Sequence, residues 1–393
     1  MRQLQIALVA GSLVLATPSF ACTNTGDFGQ WLQNFKVEAA SAGIKPLVID
    51  ESFSGVKLDQ SVLASDRAQH NFALDFLAFS SKKVVPYRIT QGRALLNSNA
   101  GLFKRIEQTY GVPGEVLTAF WGLETDFGQV MGNTPTIQAL ATLAYDCRRP
   151  ELFRGELMSA LRLVQKGDQT PNKMKGAWAG ELGQLQFIPS KYDEFGVDFD
   201  GDGKRDVIKS KADALASAAH MLQNAGWKAG EPWLREVRVP TEMDWAQARI
   251  GNRLPIAEWG RMGVMTPNGS PVKGGGVAAL LLPMGRNGPT FLAYPNFDAI
   301  LEWNESTVYS TTAAYFANRL AGAPAIHAGN APVKSLSKAE TASLQSKLRA
   351  KGFTITKVDG IIGNETRDAV RKVQQELGLP ADGYPDQTLL SRL

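Results

Sequence analysis

The chain has 393 residues and a net charge of +4 at pH 7, with 42 lysines and arginines against 38 aspartates and glutamates. Single cores rarely grow beyond about 250–300 residues, so this length predicts at least two domains. The basic residues are scattered and form no dense stripe, which argues against a nucleic-acid-binding protein.

Residues 1–21 have the pattern of a secretory signal peptide. Arg2 supplies a basic start, and Ile6–Leu15 form an apolar segment that is short for a membrane span. The pattern predicts export to the periplasm and a mature chain that begins at Cys22. Lipid anchoring at Cys22 is disfavoured, because Ser19 stands where lipoprotein signals usually carry leucine.

The chain has two cysteines, Cys22 and Cys147. An even number of cysteines in an oxidising compartment predicts one disulfide, which would close a long loop. Two unpaired buried thiols are the alternative.

Residues 27–230 have mostly helical patterns. A helix is predicted to begin after Gly111, since Pro113 suits a first turn. Apolar residues recur at spacings of three and four in residues 137–144 and 151–165, as expected for amphipathic helices.

Glu124 lies at the end of an almost wholly apolar run, Val116 to Leu123. A carboxyl among apolar groups has a raised pKa, because burial disfavours its charged form. Such a group can donate a proton near neutral pH, as cleavage of a glycosidic bond requires. The alternative is a glutamate that reaches solvent from an amphipathic helix.

Residues 236–292 predict a small strand-rich insertion. Glu236 to Val239 alternate in polarity, and Val277–Leu282 form a short apolar run between a glycine triplet and Pro283. Helix is predicted again from Phe297 to Leu320.

Residues 323–335 are small residues and prolines, as in a linker. Residues 336–393 predict a separate module of three short helices, with turns at Asp359-Gly360 and Asp382-Gly383 and a helix capped by Thr366.

An aspartate-rich segment resembles the first part of an EF-hand calcium loop, with aspartates at loop positions 1, 3, 5 and 9 and Gly203 at position 6. The glutamate expected at position 12 is replaced by Lys209. The alternative is an aspartate-glycine turn that caps the next helix. The candidate calcium ligands are Asp198, Asp200, Asp202, Lys204, Asp206 and Asp213.

Four segments, taken together, resemble the membrane-bound lytic murein transglycosylase B family. They are residues 119–128 around Trp121-Gly122-Leu123-Glu124, residues 140–146, residues 178–203 beginning Trp178-Ala179-Gly180-Glu181, and residues 297–309 with Trp303-Asn304-Glu305-Ser306. Residues 336–393 resemble the peptidoglycan-binding domain type 1.

The resemblance implies a mainly α chain: a lysozyme-like α+β catalytic domain over residues 22–322, with a small strand-rich insertion, and a small three-helix C-terminal domain. It implies a lytic transglycosylase that cleaves the β-1,4 bond between N-acetylmuramic acid and N-acetylglucosamine in peptidoglycan and forms 1,6-anhydromuramyl ends. Glu124 matches the sole catalytic carboxylate of the family.

The resemblance also implies a substrate-binding set. Amides suit N-acetyl and hydroxyl groups, and aromatic faces suit sugar rings. The matching positions are Gln186, Phe187, Trp303, Asn304 and Tyr309. Glu181 lies in the same glycine-rich segment, and a substrate contact or structural role is favoured for it over service as a second catalytic carboxylate.

Three positions depart from the family pattern. Ala177 stands where serine is frequent, Glu181 where a small residue is frequent, and His220-Met221 where an Asn-Tyr pair is common. A lone helical histidine is more often hydrogen-bonded than catalytic, so a structural role is expected for His220.

Two alternative functions stay open at this point: a muramidase that hydrolyses the same bond, and an inactive peptidoglycan-binding protein. No cofactor is expected to be required, and calcium would be structural. The expected partners are peptidoglycan glycan strands and other cell-wall enzymes, with a monomeric chain and no nucleic acid.

Overall fold

The computed structural model describes residues 26–68 and 74–393. The predicted signal peptide and Cys22 lie outside the described residues, so cleavage, lipid anchoring and the disulfide to Cys147 stay predictions. Among the described residues, no helix is long and apolar enough to cross a membrane.

The region before the strand-rich insertion is helical, as predicted. Several helices begin at side chains that accept otherwise free N–H groups, such as Asp27 and Ser210, and others begin with proline. The helices are α1 (Phe28–Ser41), α2 (Pro46–Phe53), α3 (Gln60–Ala68), α4 (Phe76–Lys83), α5 (Pro86–Ser98), α6 (Ala100–Tyr110), α7 (Gly114–Thr125), α8 (Thr136–Tyr145), α9 (Pro150–Lys166), α10 (Pro189–Phe195) and α11 (Lys211–Asn224).

Two very short strands, β1 (Thr134–Pro135) and β2 (Lys175–Gly176), pair in antiparallel fashion between these helices. The predicted insertion is an antiparallel sheet of β3 (Leu234–Val237), β4 (Arg253–Pro255), β5 (Val277–Leu281) and β6 (Thr290–Ala293), in the order β3-β6-β5-β4, with the short helix α12 (Ile256–Arg261).

The sheet contributes to two apolar cores. Leu280 of β5 packs with Trp245 and Trp259 in a core of the insertion, whereas the next residue, Leu281, packs into the main helical core. Alternate residues of a strand point to opposite faces, so a strand covered on both faces is apolar throughout. This explains the apolar run of β5.

The predicted helix from Phe297 to Leu320 is wrong as a single element. The structure has α13 (Asn296–Asn304) and α14 (Thr307–Leu320), separated at Glu305, which has a left-handed backbone with φ 57°. The Ser306 hydroxyl caps α14 by accepting the N–H of Tyr309. The break lets the two helices diverge.

Helix α7 lies at the centre of the helical core. All residues from Val116 to Leu123 are buried, and α4, α5 and α13 pack with α14 around it. Because the helix is enclosed, its apolar run continues around the whole circumference instead of following one face.

The C-terminal residues form α15 (Lys338–Ala350), α16 (Asn364–Glu376) and α17 (Gln387–Arg392), which share a small apolar core. The predicted cap at Thr366 is wrong: α16 begins after Gly363, and Thr366 accepts a hydrogen bond from Gln345 (3.2 Å). Thr366 therefore lies inside the first turn of α16, where it contacts Gln345 of α15. A contact between two helices cannot be predicted from the local sequence pattern.

The predicted linker has no helix or strand, and it lies along the protein surface. Asn330 donates to the carbonyl of Val239 (3.2 Å), and the Ser335 hydroxyl lies 2.9 Å from both Asp75 Oδ2 and the Tyr384 hydroxyl. These bonds connect the segment to both of the domains that it joins.

Candidate active site

Helix α7 ends directly after Glu124. Asp126 and Phe127 have left-handed backbones, with φ values of 52° and 62°, which terminate the helix. Asp126 pairs with Arg88 of α5 (2.9 Å). The end of the helix therefore holds Glu124 at a fixed place.

Thr125 connects this end to the glycine-rich segment. Its hydroxyl donates to the carbonyl of Gln184 (2.6 Å) and accepts the N–H of Gly128 (2.9 Å). Neither residue was singled out in the sequence, because a buried threonine carries no signal of its own.

The glycine-rich segment folds back on itself very tightly. A Cβ on Gly176 would lie 1.7 Å from the carbonyl oxygen of Glu181, and a Cβ on Gly183 2.3 Å from that of Val207. Gln186 has φ 52°, a strained value for a residue with a side chain. Its amide donates to the carbonyls of Met131 (3.1 Å) and Gly183 (2.9 Å). The structure thus gives Gln186 main-chain partners.

Two side chains, one from α13 and one from α14, contact the carboxyl of Glu124. The indole N–H of Trp303 donates to Oε1 (3.0 Å), and the hydroxyl of Tyr309 donates to the same oxygen. The break between α13 and α14 places both donors over the end of α7.

Aromatic rings surround the carboxyl. Trp303 stacks on Phe120 with ring centroids 4.4 Å apart and meets Phe187 edge-on at 5.7 Å. Phe187 is buried. It packs beneath Trp303, and so the structure brings three of the predicted site residues together with Glu124. Asn304, at the end of α13, is exposed near them.

Burial raises the pKa of Glu124, although part of its surface stays exposed. The hydrogen bonds from Tyr309 and Trp303 act in the opposite direction, because they stabilise the charged form. The negative charge of Glu181 raises this pKa further, and the positive charge of Lys83 lowers it. The sequence does not predict the effect of Lys83, because this residue is distant from Glu124 in the chain and approaches it only in the folded protein.

Glu181 lies close enough to Glu124 to affect its ionisation, and its own pKa is raised by burial. Its Oε2 is buried and has no hydrogen-bond partner in the described part of the chain. This oxygen is therefore enclosed by protein, although the residue as a whole is only partly buried.

Three residues that depart from the family pattern, Ala177, His220 and Met221, make main-chain hydrogen bonds or pack in the core. Ala177 forms a tight turn by donating its N–H to the carbonyl of Glu181 (3.1 Å). His220 Nδ1 lies 3.0 Å from the carbonyl of Phe195, consistent with the structural role expected for it. Met221 packs against the helical core.

The aspartate-rich loop brings three carboxylates together. Oxygens of Asp198, Asp200 and Asp202 lie within 4.8 Å of one another and are exposed. Asp206 and Asp213 are engaged differently: Asp206 accepts the N–H groups of residues 208 and 209, and the buried Asp213 accepts those of residues 199, 200 and 206. Lys204 is exposed. Three of the six candidate positions thus form one cluster.

The aspartate-rich loop also makes a hydrogen bond to the glycine-rich segment beside Glu124. The N–H of Gln184 donates to the carbonyl of Val207 (3.0 Å), directly after the aspartates. Gln184 in turn accepts the hydroxyl of Thr125, beside Glu124. An ordered loop therefore helps to place the carboxyl.

A mainly helical domain in which an indole and a phenol donate hydrogen bonds to a partly buried glutamate has the architecture of the lysozyme-like proteins. The chain belongs to the transglycosylase SLT domain family, whose profile matches residues 27–318. Residues 337–393 match the putative peptidoglycan binding domain.

Relatives cover both parts of the chain. SltB3 from Pseudomonas aeruginosa, solved in complex with NAG-anhNAM-pentapeptide, is 42% identical with a TM-score of 0.87, over 94% of this chain and 99% of that one. Slt35 of Escherichia coli, in complex with bulgecin A, is 28% identical with a TM-score of 0.64, over 74% and 92%.

Membrane-bound lytic murein transglycosylase B of Escherichia coli K12 is 32% identical over 237 residues. That match spans 60% of this chain and 64% of the relative's length.

Proposed function

We propose that this protein is a lytic transglycosylase that cleaves the β-1,4 bond between N-acetylmuramic acid and N-acetylglucosamine in peptidoglycan and forms 1,6-anhydromuramyl ends. The observation that carries the proposal is Glu124, a carboxyl with a raised pKa whose Oε1 is held by Trp303 and Tyr309. Solved complexes of SltB3 with NAG-anhNAM-pentapeptide and NAG-NAM-pentapeptide support it.

In the first step, protonated Glu124 donates its proton to the glycosidic oxygen, and the bond from that oxygen to C1 of the muramyl residue breaks. Burial raises the pKa of Glu124 and so favours the protonated form that this step needs. Trp303 and Tyr309 both donate to Oε1, which leaves Oε2 to carry the proton to the substrate.

In the second step, the C6 hydroxyl of the same muramyl residue attacks C1, and the Glu124 carboxylate accepts its proton. Trp303 and Tyr309 stabilise the carboxylate while it is charged. One group then serves as acid and as base, and no water is consumed.

A hydrolytic muramidase would need a second carboxylate to activate water. Glu181 is a carboxyl whose charge reaches Glu124, but its Oε2 is buried, which disfavours activation of water by that oxygen. This favours transglycosylation. The assembled carboxyl site likewise argues against an inactive binding protein.

The proposal is tested by digestion of peptidoglycan sacculi with the wild type, Glu124→Gln and the matched control Glu107→Gln, an exposed glutamate of α6. We expect soluble muropeptides from the wild type and the control and none from Glu124→Gln. Equal release by all three chains would overturn the proposal.

We further propose that the chain is exported by residues 1–21 and works in the periplasm, where Cys22 and Cys147 form a disulfide. Cys147 lies in the turn between α8 and α9. Mass measurement of the secreted chain with and without reduction tests the cleavage site and the bond together; an unprocessed, reduced chain would overturn both.

We also infer a structural calcium at Asp198, Asp200 and Asp202. The donor set fits, since calcium prefers several carboxylate oxygens around one point, although further ligands must come from water or the main chain. A relative, Slt35, was solved in complex with calcium.

We also propose that residues 337–393 bind peptidoglycan. Association with other cell-wall enzymes and the monomeric state stay predictions.

A further inference from the structure

A cavity of about 450 Å³ lies where the C-terminal module meets the strand-rich insertion. The insertion supplies residues 248–251 and 280–282, the module supplies side chains of α16 together with Asp382, and Thr307 of α14 completes the lining. We call this cavity the junction pocket. It is distinct from the cleft around Glu124.

The junction pocket has an excess of positive charge. Arg249, Arg367 and Arg371 line it, against Asp368 and Asp382. Asp368 is already paired with Arg371 (2.8 Å), and the side chain of Asp382 accepts hydrogen bonds from Gln374 (2.9 Å) and from the N–H of Arg286 (3.0 Å). Both carboxylates are therefore engaged.

Two of the arginines lack a carboxylate partner. Arg367 donates to the carbonyls of Leu282 (3.1 Å) and Pro283 (2.6 Å), and its guanidinium lies 5.4 Å from the Tyr384 ring centroid. Arg249 is exposed, and its guanidinium has no hydrogen bond or ion pair within the described part of the chain.

Burial lowers the pKa of both Arg367 and Arg371, because it disfavours their charged forms. Arg371 is only 8% exposed. Buried charges are normally balanced by an opposite charge with good hydrogen bonds. The pocket is thus complementary to an anion, and guanidinium groups suit a carboxylate above all.

The junction pocket and the cleft share one helix. Thr307, which lines the pocket, is the first residue of α14, and Tyr309, two residues later, donates its hydroxyl to Glu124. A peptide of five residues can extend over roughly 17 Å. One turn of an α-helix rises about 5.4 Å, so an extended stem is longer than the part of α14 that separates these two residues.

We propose that the junction pocket binds the carboxylate of a peptide stem carried by the glycan strand in the cleft. The inference rests on the proposed function, and it makes the C-terminal module a contributor to substrate selection through Arg249, Arg367 and Arg371. Strands whose stem carboxylates are free are then preferred to strands whose stems are amidated.

The test uses the full chain with Glu124→Gln, so that ligands are bound and not cleaved. Calorimetry measures the affinity of two probes, NAG-NAM-pentapeptide with free carboxylates and the same compound with carboxamides. We expect the first to bind about tenfold more tightly, as for one charge-assisted contact. Addition of Arg249→Ala removes that difference, and addition of Arg235→Ala, an exposed arginine of β3 outside the pocket, does not.

Equal affinity for the two probes, or an unchanged preference in the Arg249→Ala chain, would overturn the inference. Inorganic phosphate is expected to compete with the carboxylate probe, and this competition should weaken in the Arg249→Ala chain. Equal competition in the chains with and without Arg249→Ala would contradict binding in the junction pocket. The wild type is digested with sacculi in parallel. Muropeptide release without any carboxylate preference leaves the proposed function standing and removes this inference alone.

Discussion

The side chains of Glu124 and Tyr309 are joined by a hydrogen bond from the phenol to Oε1, although 185 positions separate them in the chain. The bond crosses from the end of α7 to the first turn of α14. It favours the ionised form of a carboxyl whose burial favours the protonated form. The balance between these effects sets the acidity of the site.

Tyr309→Phe removes that hydrogen bond and leaves the ring. We expect kcat to fall by about 100-fold or more, as for a lost donor to a reacting charge. Since the bond lowers the pKa of Glu124, its loss raises that pKa, and the alkaline limb of the pH–rate profile moves to higher pH. Tyr315→Phe on the same helix, where the hydroxyl meets Arg319 instead, is the control. A profile with an unmoved alkaline limb would contradict the role given to Tyr309.

Glu124→Gln is expected to stabilise the protein at neutral pH. Folding raises the pKa of Glu124, so the wild type is most stable below the ordinary value of 4.5 and loses stability as the pH rises through the folded value. Glutamine never ionises and can still accept hydrogen bonds from Trp303 and Tyr309.

Thermal unfolding of the two chains between pH 4 and pH 8 checks this prediction. The melting temperature of Glu124→Gln should exceed that of the wild type by about 2–4 °C at high pH, on the usual scale for roughly 1 kcal/mol, and the gap should close in acid. A gap that widens in acid would show that the sign of the shift is wrong.

Gly285→Ala is expected to loosen the contact between the two domains. A Cβ there would lie 2.8 Å from Cβ of Tyr384 and 2.9 Å from Oδ2 of Asp382, and the backbone has φ +71°. Gly269→Ala is the control, because it has a similar φ of +84° and open space around it. Limited proteolysis within residues 323–335 should accelerate about tenfold in the first variant alone. Equal cleavage of both variants would mean that backbone strain, and not the domain contact, is responsible.

Calcium is expected to raise the melting temperature of the wild type by about 3–6 °C and a chelator to reverse the change. Magnesium should do less, because it retains its water and prefers a regular octahedron. Asp200→Asn should abolish most of the effect, since Asp200 belongs to the three-carboxylate cluster. A melting temperature that calcium and chelator leave unchanged would refute the metal site.

Much of the site could be predicted from the sequence because its chemistry is local. Glu124 directly follows eight buried residues of α7, so the sequence itself indicates a carboxyl in an apolar environment. The aromatic residues Trp303 and Tyr309 are likewise recognisable in the sequence. The break at Glu305 was missed, because a left-handed residue with a side chain leaves little trace in apolar spacing.

Other features depend on contacts between distant segments. Lys83 affects Glu124 through space, and the hydroxyl of Thr125 finds the Gln184 carbonyl only in the folded chain. The arginines of α16 resemble a solvated helix face in the sequence. Packing against the insertion buries Arg371 and engages Arg367, and no spacing within one helix predicts that.

In the proposed reaction, Glu124 promotes cleavage of the glycan strand by internal attack and without water. Digestion of purified glycan strands in water labelled with heavy oxygen, followed by mass measurement of the products, tests it most directly. We expect anhydromuramyl ends, lighter than reducing ends by one water and free of label, with no products from Glu124→Gln. Reducing ends that carry the label would contradict it and identify the protein as a hydrolase.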